Sequence, residues 1–108
     1  MDIQLKRGLL EVCVLAAIKN EESYGYRIIK DIAPFVEISE STLYPILRRL
    51  EANELLSVRS AEHNGRLRKY YKITEAGRAR LAEFAREWSE IMAIYQFVTK
   101  EGNADEQK

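Results

Sequence analysis

The sequence predicts a mainly α fold with one small β-hairpin, arranged as a winged helix-turn-helix with a long C-terminal helix. Three observations carry this. Residues 39–53, S-E-S-T-L-Y-P-I-L-R-R-L-E-A-N, read as a helix with one aliphatic and one basic face. An Asn-Gly pair at 64–65 separates two short β-prone runs. Along the last stretch Leu81, Phe84, Trp88, Ile91, Tyr95 and Val98 fall at spacings of 3, 4, 3, 4 and 3, an a/d seam.

Ile3 to Asn20 reads as the first helix. Its second half, Val12 to Ile18, is apolar nearly all round, so it needs cover on more than one side. Ser23 is placed to cap a second helix from about Tyr24 to Phe35, with Ile28, Ile29 and Ile32 inward. Pro34 disfavours helical geometry at Ala33, which should end that helix. Phe35 to Ile38 is the turn, and Ser39 or Ser41 caps the third helix. There Leu43, Ile46, Leu47 and Leu50 share one stripe. Ser41, Tyr44, Pro45, Arg48 and Ala52 lie opposite, with Arg49 on the flank. Pro45 removes one backbone donor, which is tolerable near a helix start.

After Asn53 the period changes. Leu55 to Ala61 and Arg68 to Ile73 read as strands joined through His63-Asn64-Gly65-Arg66. Thr74 caps the last helix, with Glu75 in its first turn, where a carboxylate suits the dipole. That helix runs to about Lys100, or roughly 39 Å at 1.5 Å per residue. The domain boundaries expected are 1–74 for the winged helix-turn-helix, 75–100 for a C-terminal dimerisation helix and 101–108 for a polar, disordered tail.

Composition bounds the rest. With 108 residues, 46% hydrophobic and 31% charged, the chain suits one soluble domain with a projecting arm. Cys13 is the only cysteine. It excludes an internal disulfide, suits a reducing compartment and reads as a small buried hydrophobe. Lys6 and Arg7 ahead of the run Leu9 to Ile18 mimic a secretory leader. Glu11 interrupts that run, however, no small-x-small cleavage site follows, and it is too short to span a bilayer. The expected location is the cytoplasm, without membrane contact.

Net charge is zero, but residues 41–80 hold nine basic and four acidic side chains, leaving the remainder acidic by the same margin. A contiguous basic block is the footprint of a phosphate-facing surface. Guanidinium groups match phosphate and guanine acceptors, and short or hydroxyl side chains let a helix approach base edges. Helix three and the hairpin tip, with Arg66, Arg68 and Lys69, place two positive points on one side of a small domain. The hairpin is then the wing, and double-stranded DNA the expected partner. An alternative is a winged helix whose basic face meets an acidic protein, an adaptor with no specific DNA site.

Motifs at 41–51 (S-T-L-Y-P-I-L-R-R-L-E) and 65–77 (G-R-L-R-K-Y-Y-K-I-T-E-A-G), with Tyr24-Gly25-Tyr26, resemble the signatures of the PadR family of bacterial transcriptional regulators. The resemblance spans about residues 5–99, and the short C-terminal part with Trp88 is similar to a small multidrug-responsive subfamily. It implies a homodimeric repressor on an inverted-repeat operator. By motif, Ser41, Thr42, Tyr44, Pro45, Arg48 and Arg49 fall in the reading head, and Arg66, Arg68 and Lys69 in the wing. It also implies that Trp88 lines a hydrophobic space between subunits and stacks on flat aromatic ligands. One departure is Asn53-Glu54, where the family often has a glycine in second place. Asn53 is expected to supply the left-handed turn instead.

An a/d seam facing water is a large apolar patch. The same helix of a second chain, with helix one, is its expected cover. Leu9, Leu81, Phe84, Trp88, Ile91, Tyr95 and Val98 would then form the dimer interface. The alternative is a helix folded back on its own domain. Phe84, Trp88 and Tyr95, with Phe97 nearby, could take a planar aromatic effector where subunits meet; the alternative is a packed seam with no cavity.

An enzyme is not expected. His63 is the sole histidine, and no metal cluster or Gly-rich phosphate loop is present. Glu83, Glu87 and Glu90, with Arg80 and Arg86 nearby, read as a solvated face. No catalytic residue, metal or cofactor is expected.

Overall fold

A computed structural model describes residues 1–100 of the chain. The elements run α1 (Ile3–Ala17), α2 (Gly25–Ile32), α3 (Glu40–Ala52), β1 (Leu56–His63), β2 (Arg66–Ile73) and α4 (Glu75–Thr99). This is the winged helix-turn-helix order. The tail expected at 101–108 lies outside the described residues.

Asp2 starts α1 by accepting the Leu5 N–H at 3.0 Å. The helix ends at Ala17, three residues before the expected end at Asn20, yet Ile18 stays in the core. Ser23 does not cap α2. Its N–H donates to the Tyr71 carbonyl at 3.0 Å and its carbonyl accepts the Tyr71 N–H at 2.8 Å. The open edge of β2 claims this backbone, so Tyr24 becomes the N-cap, with no side-chain cap bond. α2 ends at Ile32, but Ala33 keeps helical geometry at φ −50° and ψ −39°, so the expected effect of Pro34 on Ala33 is not seen. The helix stops because Pro34 has no N–H to continue the ladder.

Ser39 caps α3 through the Thr42 N–H at 3.3 Å. Leu43, Ile46, Leu47 and Leu50 are all buried, as the periodicity predicted. The helix leaves by a two-bond cap, with Leu55 N–H to the Leu50 carbonyl and Glu54 N–H to the Glu51 carbonyl, both 2.9 Å. This cap places its left-handed residue one position beyond the last half-helical residue. That residue is Glu54, at φ 61°, while Asn53 has φ −90°. The expectation for Asn53 is thus corrected by one position.

β1 and β2 are antiparallel, from Leu56 opposite Ile73 to His63 opposite Arg66. Asn64 and Gly65 turn the chain at φ 53° and 80°, the geometry Asn-Gly favours. Both strands reach closer to the turn than expected, so the wing is longer. Thr74, at the end of the wing, ties the exit of α3 to the start of α4. Its hydroxyl accepts the Gly77 N–H at 3.0 Å and donates to the Glu54 carbonyl at 2.8 Å.

The core gathers Val14, Leu15 and Ile18 of the first segment, Ile28, the aliphatic stripe of α3, and Leu56, Tyr71 and Ile73. Cys13 is half-buried rather than fully enclosed. The first turns of α4 join this body through buried Gly77 and half-buried Leu81. Beyond Ile91 the helix leaves the domain, and the molecule is 68 Å long. Ile91, Tyr95, Phe97 and Val98 are exposed, so α4 does not fold back on its own domain.

Candidate nucleic-acid interface

Burial of one stripe of α3 fixes what the opposite side presents. Ser41 and Arg48 lie on its exposed crest. Ser41 shares a hydroxyl contact of 3.0 Å with Ser39, and Thr42 one of 3.2 Å, so both hydroxyls are oriented by the cap. Pro45 is exposed. Tyr44 leans toward α2, its phenol over Gly25. Arg49 is half-buried and its Nε donates to Glu11 of α1 at 2.6 Å. Its guanidinium is therefore tied to the domain body, unlike that of Arg48.

The wing is anchored by a chain of aromatic and ionic contacts. The Arg68 guanidinium lies 3.8 Å from the Tyr24 ring centroid. Tyr24 meets Tyr70 edge-on at 5.9 Å and 76°. Arg59 covers Tyr70 at 4.7 Å and its Nε donates to Glu22 at 3.0 Å. That hydrogen bond holds the Glu22 carboxyl below its ordinary value. Arg66 and Lys69 remain exposed near the tip, beside Leu67.

These placements form two grooves flanking α3. One, of about 750 Å³, is lined by Gly25, Tyr26, Tyr44, His63, Arg66, Arg68 and Lys69 among others. The second, of about 340 Å³, brings Thr42, Pro45 and Arg49 against the first turns of α1. Ser41 and Arg48 line neither and stand between them. Tyr24 and Tyr26 were visible as a motif without a role. The structure gives Tyr24 the stack on Arg68 and exposes Tyr26 to the larger groove. The clue available in the sequence was the pair of tyrosines flanking Gly25 at the start of the second helix.

A chain built this way carries its basic side chains on a helix crest and on a braced hairpin beside it. The model of the transcriptional regulator PadR-like family matches residues 14–83, from inside α1 through the wing into α4.

The chain belongs to the PadR-like family of transcriptional regulators.

It is 33% identical over 89 residues to a transcriptional regulator of Mycobacterium tuberculosis, covering 82% of this chain and 83% of that one. It is 37% identical over 93 residues to an uncharacterised protein of Lysinibacillus sphaericus, covering 82% and 85%. Among solved structures, a PadR-like transcription factor from Bacteroides fragilis superposes with a TM-score of 0.80 at 34% identity, covering 89% of this chain and 95% of that one. The family is one of transcriptional regulators, not of enzymes. Among the described residues no helix is long and apolar enough to cross a membrane.

The residues expected to meet an effector in this PadR-like chain are only partly brought together. Phe84 and Trp88 stack at 5.7 Å and 18°. With Leu9, Arg80, Glu87 and Ile91 they line a groove of about 200 Å³ between α1 and α4. Tyr95 stands two turns further out, exposed and outside that groove. Leu81 packs on the domain core, so within one chain it serves the body more than the seam.

Proposed function

We propose that this PadR-like chain is a homodimeric repressor that binds an inverted-repeat operator in double-stranded DNA in the cytoplasm. The observation that carries the reading is the shared side of the domain on which the α3 crest and the wing tip stand. Arg48 is exposed there, and Arg66 and Lys69 flank it across the larger groove. Residues 1–74 act as the reading domain, with α3 in a major groove and the wing on flanking backbone. Residues 75–100 act as the dimerisation helix. Its apolar residues from Trp88 to Val98 are exposed in one chain, and a second α4 covers them. Two-fold symmetry then sets half-sites about one helical turn, or roughly 10 bp, apart or a multiple of that.

A planar aromatic effector would enter between subunits beside the Phe84–Trp88 stack. It would act by favouring a subunit spacing that misplaces the two α3 helices. The test is fluorescence anisotropy with the duplex upstream of the chain's own gene and a scrambled control, at two salt concentrations. Tighter binding to the upstream duplex, weakening steeply with salt, supports the reading. A folded dimer that binds neither duplex would overturn it in favour of a protein-binding adaptor.

A further inference from the structure

The wing accounts for only one flank of α3. Tyr44 and Arg49, five residues apart, stand about 140° apart around the helix. Tyr44 borders the groove shared with the wing, and Arg49 borders the groove shared with α1. A helix lying in a major groove about 12 Å wide has a phosphate backbone along each side. On the α1 side, the acceptor-matching side chain of α3 is already committed, because Arg49 donates to Glu11 at 2.6 Å.

Two cations stand ready at that flank. Lys6 and Arg7 are exposed and line the groove with Thr42, Pro45 and Arg49. Among the described residues neither forms an ion pair. Glu11, four residues after Arg7, already accepts from Arg49 at 2.6 Å, and Asp2, four residues before Lys6, accepts the Leu5 N–H at 3.0 Å. The same bond fixes the first turn of α1, so both cations project from an ordered element. They lie outside the basic block at 41–80, and only the packing of α1 beside α3 brings them to this face.

We propose that Lys6 and Arg7 form a second phosphate-binding rail, holding the DNA strand on the side of α3 opposite the wing. The proposal rests on the DNA-binding reading above. Contacts of this kind add affinity without sequence information and report themselves in the salt dependence.

The experiment measures affinity for the upstream and scrambled duplexes over a salt series, comparing wild type with Lys6→Ala/Arg7→Ala. The double variant should bind both duplexes more weakly by the same factor. Its plot of log affinity against log salt should be shallower by about 1 to 2, near 1 per phosphate contact. Arg7→Ala alone, on the side away from α4, should give about half that change. The charge-conserving pair Lys6→Arg/Arg7→Lys should keep the wild-type slope. A variant slope equal to wild type on both duplexes would overturn the rail and leave the DNA-binding reading standing. Wild-type protein that binds neither duplex would overturn both.

Discussion

The phenol of Tyr44 fills the place where a side chain at residue 25 would stand. A Cβ built on Gly25 meets Tyr44 Oη at 2.3 Å and Cζ at 3.0 Å. Gly25 opens α2 and Tyr44 borders the α3 crest, so this contact sets how closely the two helices of the motif approach. Gly25→Ala should destabilise the fold by about 1–3 kcal/mol through overpacking. Tyr44→Ala in the same chain should recover part of that loss. A thermal-melt double-mutant cycle measures the coupling, and additive effects would mean that the two residues do not constrain each other.

A harder limit applies at Gly77. A Cβ there meets the Leu55 carbonyl oxygen at 2.2 Å and Ile73 Cγ1 at 2.7 Å. Tyr44 can rotate away from Gly25, whereas the Leu55 carbonyl is held by the Thr74 N–H at 3.1 Å. Gly77→Ala should therefore lower the melting temperature more than Gly25→Ala. The reverse order would show that α4 shifts freely on the wing base.

Glu54 works against its own backbone. Left-handed geometry costs a side chain with a Cβ about 1–2 kcal/mol, and Glu54 sits there at φ 61°. The cap it completes and the Thr74 hydroxyl on its carbonyl hold it in place. Glu54→Gly removes the strain but loosens the unfolded chain, so the net gain should be about 1 kcal/mol. Urea denaturation checks this. Operator affinity should stay unchanged, because residue 54 lies at the end of α3 away from both grooves.

The fold was legible wherever one period held over several turns. The α3 stripe, the Asn-Gly turn, the Thr74 cap and the length of α4 each have a local cause. What sequence reasoning misplaced depends on contacts distant in the chain. Ser23 looks like a helix cap until the open edge of β2 takes its backbone. Arg49 looks like a free cation until Glu11, 38 positions earlier, accepts from its Nε. Arg68 looks like a free wing-tip cation until Tyr24 is packed beneath it. Lys6 and Arg7 were noted only as the flank of an apolar run, because nothing local places α1 beside α3.

The same distinction separates two adjacent arginines. Arg48→Ala should reduce operator affinity by about 1–3 kcal/mol if the side chain contacts a base, with thermal stability unchanged. Arg49→Ala should also lower stability, by under about 1 kcal/mol, since its ion pair with Glu11 is only partly shielded from water. Melting curves and anisotropy on the two variants check this. Equal stability of both would remove the distinction.

Trp88 offers the sharpest test of the seam. It stacks on Phe84 and is followed by Ile91, Tyr95 and Val98, all exposed in one chain. Because residue 88 is 36% exposed in the isolated chain, an aspartate there would be solvated in a monomer and the domain should still fold. Between two paired α4 helices the same carboxylate would be buried without a partner, at a cost of several kcal/mol. Trp88→Asp should therefore sediment as a monomer with an unchanged helical circular-dichroism spectrum. It should also lose affinity for the two-half-site operator far more than for a single half-site. A dimer that persists would place the interface elsewhere, and a monomeric wild type would remove the need for one.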